Sequence, residues 1–205
     1  MAEFTPMYVD ETVEILRALD LACVDQVAAG LASVRERGGR LFVLGVGGSA
    51  GHASHAVNDF RKLCGIEAYA PTDNVSELTA RINDDGWESS LAGWLEVSRL
   101  DADDALLIFS VGGGDADRNI SPNLVQALEL ASRVGASIYG VVGRDGGHTG
   151  RVADAVVLIP PLFGDRITPH TEGLCAVVWH CLVSHPMLQR SATKWERETS
   201  ATDVS

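Results

Sequence analysis

The sequence predicts a doubly wound α/β fold, in which helices cover both faces of a parallel sheet. Short apolar segments alternate with segments of helical periodicity along most of the chain. The apolar segments are continuous rather than alternating, which is typical of strands buried on both faces. Two of them run into glycine-rich loops at residues 45–49 and 110–114, and each loop precedes a helical segment. This order of strand, loop and helix is typical of α/β folds that bind phosphate.

The predicted elements follow one another in a simple order. From residue 9 to residue 37, apolar side chains recur every three or four positions. This pattern predicts an N-terminal helical extension, which Gly38 and Gly39 end. Ser121 followed by Pro122 predicts a helix entry with the serine as N-cap. We predict strands at Leu41–Leu44, 67–70, Ala105–Ser110, Ser137–Val142 and 155–159, and helices at 49–63, 75–95, 121–134 and 172–184.

Length and composition narrow the classes of function. The 205 residues are enough for one well-buried domain. A net charge of −12 argues against binding to nucleic acid or to an anionic membrane. No secretory signal or membrane-spanning apolar stretch is visible, so we expect a cytoplasmic protein. Cys23, Cys64, Cys175 and Cys181 lack the spacing of a metal site, which predicts buried, unreactive thiols in a reducing compartment.

The glycine loops predict a phosphorylated ligand. Backbone N–H groups and the positive end of a helix dipole can hold a phosphate at each loop. Because the carboxyl ends of parallel strands share one edge of the sheet, both loops lie where α/β folds bind ligands. The first loop lacks the third glycine of the dinucleotide fingerprint, which argues against a nicotinamide enzyme. Residues 143–147 (Gly-Arg-Asp-Gly-Gly) form a third loop at that edge, although a plain turn explains them equally well.

Two sets of residues can bind a metal or transfer protons. His55 and Asp59 are four residues apart, so they share one face of a helix, although a plain surface contact has the same spacing. His180 interrupts an apolar run and needs a partner, which a hydrogen bond in the core would also supply. Glu172 lies ~12 Å from His180 along a straight helix, so only extended side chains or an irregular helix start would let both bind one ion. His170 is therefore a competing ligand. Zinc suits such imidazoles and carboxylates.

The ordered set of these motifs resembles the phosphoheptose isomerases of the sugar isomerase (SIS) domain superfamily. The resemblance runs from about residue 8 to residue 186 and is carried by residues 45–49 (Gly-Val-Gly-Gly-Ser), His55, Asp59, Asn83, Asp84, Ser110, 143–147 and His180. It implies a five-stranded parallel sheet flanked by helices, and a homotetramer with active sites at subunit interfaces. The implied division is a helical segment at 1–38 that packs on the core and in oligomerisation, a SIS domain at 39–188 and a disordered polar tail at 189–205.

The resemblance also implies an activity and the residues that perform it. The reaction is an aldose–ketose isomerisation of sedoheptulose 7-phosphate to a D-glycero-heptose 7-phosphate through an enediol. Asp59 is then the base and His180 the opposing acid and base, with Glu172 as a rival base. One zinc ion per active site is implied, with His55, Asp59, Glu172 and His180 as ligands. The implied substrate contacts are Gly47, Gly48, Ser49, Asp59, Asn83, Asp84, Ser110, Val111, Gly112, Ser121 and Glu172.

The chain departs from the family pattern in its phosphate loops. Val46 stands where the family has an asparagine, and Val111 and Gly112 replace a threonine and a serine. Fewer hydroxyl groups imply that phosphate binding depends more on backbone N–H groups. A longer stretch after the second loop leaves two candidates for the last phosphate contact, Asp115 and Ser121. We prefer Ser121, because a carboxylate would repel the phosphate.

The metal and base positions also depart from the pattern. Asp59 stands where the family has a glutamate, which shortens that side chain. Glu172 stands where the family has a glutamine, which adds a negative charge. An alternative function is a non-catalytic SIS module that binds a sugar phosphate or a partner protein such as the bacterial replication initiator. Retention of all four implied ligands favours the enzyme. The sequence leaves open whether the product serves cell-envelope heptose or a heptose-containing natural product.

Overall fold

The computed structural model describes residues 3–202 and shows an α/β fold built on one parallel sheet. Every pair of neighbouring strands is parallel, and the strand order is β2-β1-β3-β4-β5. The strands are β1 (Leu41–Leu44), β2 (Ala68–Tyr69), β3 (Ala105–Ser110), β4 (Ser137–Val142) and β5 (Ala155–Leu158). The predicted fold class is confirmed, and β1, β3 and β4 begin and end at the predicted residues.

Helices cover both faces of this sheet. They are α1 (Phe4–Arg17), α2 (Leu21–Glu36), α3 (Gly48–Cys64), α4 (Val75–Asp84), α5 (Ser90–Val97), α6 (Pro122–Val134), α7 (Gly147–Val152), α8 (Ile167–Ser184) and α9 (Lys194–Thr202), with short 3-10 turns at Pro71–Asp73 and Gly164–Arg166. The N-terminal extension therefore consists of α1 and α2. Helix α9 lies within the polar tail that we expected to be disordered, and residues 203–205 of that tail lie outside the described part of the chain. None of the described helices has both the length and the apolar character needed to cross a membrane.

The start of α8 differs from the sequence prediction, whereas that of α6 agrees with it. Helix α8 begins at Ile167 rather than at residue 172, because Pro169 falls in its first turn, where a proline has no helical hydrogen bond to lose. Ser121 is the N-cap residue of α6 and Pro122 is its first residue, as predicted, but the serine has a φ of 49° and makes no side-chain capping bond. The Ser121 hydroxyl is thereby left for another partner.

The sheet separates two apolar cores. In β1, Leu41 and Val43 belong to the core shared with α2, α3 and α8, whereas Phe42 and Leu44 belong to the core shared with α5 and α6. The β1 side chains therefore alternate between two buried faces, which explains why the strand is a continuous apolar run. Strand β1 pairs with β2 on one side and β3 on the other, so the strand order reverses at this point. In open α/β sheets the crevice beside such a reversal is where ligands bind.

A buried ion pair fastens α1 to the start of α8. The Arg166 guanidinium donates to both carboxylate oxygens of Glu11, at 2.7 and 2.6 Å, and the His170 Nε2 lies 2.9 Å from Oε2 of Glu11. Tyr8 stacks on the His170 ring with 4.4 Å between ring centroids. The hydrogen bond from Arg166, followed by that with His170, lowers the pKa of Glu11 from its ordinary 4.5 to about 2.

We expect Glu11→Gln to destabilise the chain in a pH-dependent way. A carboxyl group whose pKa is lowered by folding stabilises the fold above its unfolded pKa, and this contribution disappears as the pH falls towards the folded pKa. The melting temperature of the variant should therefore be several degrees below that of the wild type at neutral pH, with the gap narrowing between about pH 5 and about pH 3. The exposed Glu14→Gln, on the same helix, is the matched control. A gap that stays constant over this pH range would contradict the assignment.

Three of the four cysteines are at least partly buried, as predicted. Cys64 and Cys175 are buried and Cys23 is half-buried, but Cys181 is exposed, which corrects the prediction for that residue. Burial raises the pKa of the Cys64 thiol to about 11 and that of Cys175 to about 12. Both thiols are therefore protonated at neutral pH and are poor nucleophiles.

Candidate functional site

His55, Asp59 and His180 converge where α3 packs against α8. One ligand atom from each residue lies within 4.8 Å of the others. The two imidazole centroids are 5.5 Å apart, and Nε2 of His55 is 3.7 Å from Oδ2 of Asp59. His55 and His180 are 125 positions apart in the chain, and they meet because α3 and α8 pack side by side in the same apolar core. The structure brings together three of the four predicted metal ligands.

The His180 ring is oriented by its own helix. Its Nδ1 lies 2.7 Å from the carbonyl oxygen of Ala176, which can only accept a hydrogen bond, so Nδ1 carries the proton. The lone pair of Nε2 is then available to a ligand, which is the usual arrangement of a metal-binding histidine. Trp179 stacks on His180 with 3.5 Å between centroids and meets His55 edge-on at 4.7 Å. The buried indole N–H of Trp179 has no hydrogen-bond partner.

The cluster is open to solvent on one side. The His55 side chain is 58 % exposed, whereas that of Asp59 is 15 % exposed. Asn58 donates to Oδ1 of Asp59 at 2.8 Å, which leaves Oδ2 facing the imidazoles. Two imidazoles and a carboxylate with an open fourth position are typical of catalytic zinc sites. The residues present therefore fit a zinc ion.

Glu172 lies apart from this cluster. Its carboxylate is against the first turn of α3, where a Cβ atom added to Gly48 would be 2.5 Å from Oε1 of Glu172. Because α8 is helical throughout, the separation of ~12 Å from His180 along the axis persists. The positive end of the α3 dipole favours an anion here, so Glu172 lies where the sequence predicted a phosphate. His170, the competing ligand, is bound to Glu11 instead.

A cavity of about 470 Å³ lies at the carboxyl edge of β3 and β4. It is lined by the predicted contacts Ser110, Val111, Gly112 and Ser121, together with Val46 from the first loop. The hydroxyl of Ser110 accepts a hydrogen bond from the Gly113 N–H at 3.0 Å, which holds the glycine loop in shape. The other first-loop residues predicted to contact substrate, Gly47, Gly48 and Ser49, do not line this cavity, and Ser49 is buried.

The structure supports Ser121 over Asp115 as the polar contact at the end of the second loop. Asp115 accepts hydrogen bonds from the backbone N–H and the guanidinium of Arg118, at 2.9 and 2.6 Å. These bonds, led by the one from the backbone, lower the pKa of Asp115. Both Asp115 and Ser121 line the cavity, but the Asp115 carboxylate is already paired, whereas the Ser121 side chain makes no capping bond.

The predicted sugar contacts Asn83 and Asp84 lie at the end of α4. Both are exposed, and the Asn83 amide donates to the Asp84 carboxylate at 2.7 Å. They do not line the cavity of Ser110. The next residue in the chain, Asp85, lines a second cavity of about 550 Å³. Ser121 lines both cavities, so the two are adjacent.

Sequence reasoning missed three residues of the site. Arg118 and Arg144 line the cavity of Ser110, and Trp179 contacts both imidazoles. Trp179 is part of an apolar run and gives no sign of its contacts in the sequence. Arg144 could have been noticed, because it is a cation in a glycine-rich loop after a buried strand.

Curated relatives decide the family. The chain is 33 % identical over 162 residues to the phosphoheptose isomerase of Trichlorobacter lovleyi, an alignment that covers 77 % of this chain and 78 % of the relative. The chain belongs to the phosphoheptose isomerase family. Another relative, the lincomycin biosynthesis protein LmbN of Streptomyces lincolnensis, is 35 % identical over 159 residues, or 72 % of this chain. The chain spans 56 % of that longer protein. No family model matches the sequence.

Solved structures of phosphoheptose isomerases share the fold. GmhA from Neisseria gonorrhoeae superposes with a TM-score of 0.78 at 21 % identity, over 89 % of this chain and 97 % of that one. The enzyme from Francisella tularensis gives 0.75 at 22 % identity, over 90 % and 96 %. At these identities the likeness shows the fold alone.

Proposed function

We propose that this chain isomerises sedoheptulose 7-phosphate to a D-glycero-heptose 7-phosphate. The observation that carries the proposal is the meeting of His55, Asp59 and His180 on two helices, in a chain of the phosphoheptose isomerase family. The cavity beside Ser110 and Ser121 is the proposed phosphate site. A non-catalytic module would have no use for the three converging ligands, and the relative from Trichlorobacter lovleyi is named as an isomerase, so neither observation favours that alternative.

The proposed base is Asp59. In the ketose, a proton leaves C1, its electron pair forms the C1–C2 double bond, and the carbonyl electrons move to the oxygen at C2. The base then returns a proton to C2, while the hydroxyl proton at C1 passes to the oxygen at C2, which gives the aldose. Each carboxylate oxygen has two lone pairs, so Asp59 can bind a metal through Oδ2 and accept the proton on the lone pair of Oδ1 that the Asn58 bond leaves free.

His180 is proposed as a metal ligand rather than as a proton donor. Its Nδ1 is bound to the Ala176 carbonyl, so only Nε2 faces the site, and one nitrogen cannot hold a metal and a proton together. His55 and Asp59 would complete the protein ligands of one zinc ion. The chemistry that zinc supplies when bound is polarisation of the substrate carbonyl.

Glu172 is proposed to orient the substrate at the first glycine loop. It is half-buried against Gly48, and its carboxylate can accept a hydrogen bond from a sugar hydroxyl. Asn83 and Asp84 are proposed to contact the sugar chain from the end of α4. If Glu172 is instead the base, Glu172→Gln should lose more turnover than Asp59→Asn.

The proposal extends to the assembly of the protein, its domain bounds and the pathway of its product. We propose a homotetramer in the cytoplasm, with active sites at subunit interfaces and residues 1–38 in the contacts between subunits. The SIS domain is proposed to span residues 39–188 and the polar tail residues 189–205. The product would enter heptose biosynthesis for the cell envelope or for a natural product.

The proposed activity is tested by incubating the zinc-loaded chain with sedoheptulose 7-phosphate. We expect the anomeric proton signals of an aldose 7-phosphate to grow in the NMR spectrum until an equilibrium with the ketose is reached. Starting from the aldose should lead to the same ratio. A chain that binds the ketose phosphate, keeps its zinc and forms no aldose would contradict the proposal and identify a binding module.

A further inference from the structure

We propose that Arg144 binds the phosphate group of the substrate and is the main cation of the phosphate cavity. The inference deepens the proposed function and depends on it for the identity of the phosphorylated sugar. Arg144 lies in the loop after β4, for which the sequence left a third loop at the ligand edge and a plain turn as alternatives. It lines the cavity together with Ser110, Gly112 and Ser121.

Apart from the two arginines, the side chains that line the cavity offer a phosphate dianion few hydrogen-bond donors and no positive charge. Val46, Val111 and Ile120 offer no donor, and the hydroxyls of Ser110 and Ser121 can each donate one hydrogen bond but carry no charge. A phosphate monoester carries about −1.5 to −2 charges at neutral pH and needs positive charge as well as N–H donors. Among side chains, an arginine supplies both.

Arg118 is the other cation in the cavity, but it is engaged. Its Nε donates to the Asp115 carboxylate at 2.6 Å, which cancels its charge. Asp145 also lines the cavity, and its carboxylate accepts the Gly147 N–H at 3.2 Å. Within residues 3–198, no carboxylate lies within 4.0 Å of the Arg144 guanidinium. Arg144 therefore has its donors available for a ligand.

The loop that carries Arg144 is held firmly on the second glycine loop. The Gly143 N–H donates to the Ser110 carbonyl at 3.2 Å, and the N–H and hydroxyl of Thr149 both donate to the Gly113 carbonyl, at 2.9 and 2.8 Å. A Cβ atom on Gly147 would lie 2.1 Å from the Gly112 carbonyl oxygen, so the two backbones are in direct contact. Whatever binds to the second loop thus meets Arg144 at a fixed position.

The backbone of Arg144 itself is unusual. Its φ is 52°, in the left-handed region that arginine seldom adopts. Such a conformation costs free energy and is kept where the surroundings enforce it, often at ligand sites. The side chain runs over the second loop, because a Cβ atom on Gly112 would lie 3.6 Å from Cδ of Arg144. The conformation therefore directs the guanidinium over the loop that the phosphate would occupy.

The test compares Arg144→Asn, Arg144→Lys and the control Arg151→Gln, which removes an exposed cation of α7. Asparagine tolerates a positive φ, so the first variant should fold. We expect Arg144→Asn to raise the KM for sedoheptulose 7-phosphate about 10- to 100-fold and to leave kcat within about 3-fold, since a charged hydrogen bond is lost far from the reacting carbons. Lysine should give an intermediate KM, and the control should match the wild type.

Inorganic phosphate provides a second measurement that does not depend on turnover. We expect phosphate to raise the melting temperature of the wild type and of Arg151→Gln, but not that of Arg144→Asn. If the wild type shows this shift and no isomerisation, the proposed function fails and the inference about Arg144 stands. The inference is overturned if phosphate fails to shift the wild type, or if Arg144→Asn keeps both the shift and a KM within about 2-fold of the wild type.

Discussion

Replacing Asp59 by Asn should lower kcat by at least about 100-fold, because the amide cannot take the proton from the sugar carbon. The KM should change little by comparison, since the phosphate cavity lies at another part of the site. Asp59→Glu should retain most of the activity, because it restores a carboxylate of the length usual in the family. Initial rates of aldose formation by the zinc-loaded proteins measure both effects.

Glu172→Gln is the matched comparison for this prediction. As an orienting residue at Gly48, Glu172 should affect mainly the KM, with a few-fold change in kcat. If Glu172→Gln loses turnover by two orders of magnitude while Asp59→Asn loses only a few-fold, the base is Glu172. Zinc content must be measured for each variant, so that loss of the proton acceptor is distinguished from loss of the metal.

His180→Ala should abolish stable zinc binding and with it the isomerisation. His180 provides one of three converging ligand atoms, and two remaining ligands in an exposed site hold zinc weakly. We expect zinc affinity to fall by at least about 100-fold, as measured by competition with a chromogenic chelator. The fold should survive, because the side chain is exposed and lies outside the apolar cores.

His52→Ala is the control for the metal prediction. His52 lies on the same helix as His55 but outside the converging cluster, so its removal should leave zinc content unchanged. Equal zinc content in the wild type and His180→Ala would show that the metal binds elsewhere. Full activity of the wild type after exhaustive chelation would show that the reaction needs no metal.

The strands were the most predictable part of the fold. Central strands are buried on both faces, so residues 41–44 and 105–109 are apolar throughout and the strands end where the loops begin. The edge strand Ala68–Tyr69 has one neighbour and only two residues, and its sequence pattern is correspondingly weak. The start of α8 was misplaced because Pro169 and polar residues obscure the periodicity of its first turn.

The candidate site was only partly predictable, because it depends on contacts between distant segments. The spacing of His55 and Asp59 placed them on one helix face, but the approach of His180 follows from the packing of α3 on α8. The position of Glu172 against Gly48 likewise follows from that packing. The Glu172 carboxylate therefore lies away from His55, Asp59 and His180, although the family pattern groups it with them as a metal ligand.

Solvent exchange tests the central claim most directly. Sedoheptulose 7-phosphate is incubated with the zinc-loaded chain in deuterated water, and the aldose product is analysed by NMR. The account predicts deuterium at C2 of the aldose, on one face only, and no incorporation with Asp59→Asn. Aldose and ketose that hold no deuterium at C2 and C1 after many turnovers at equilibrium would contradict proton transfer through an enediol.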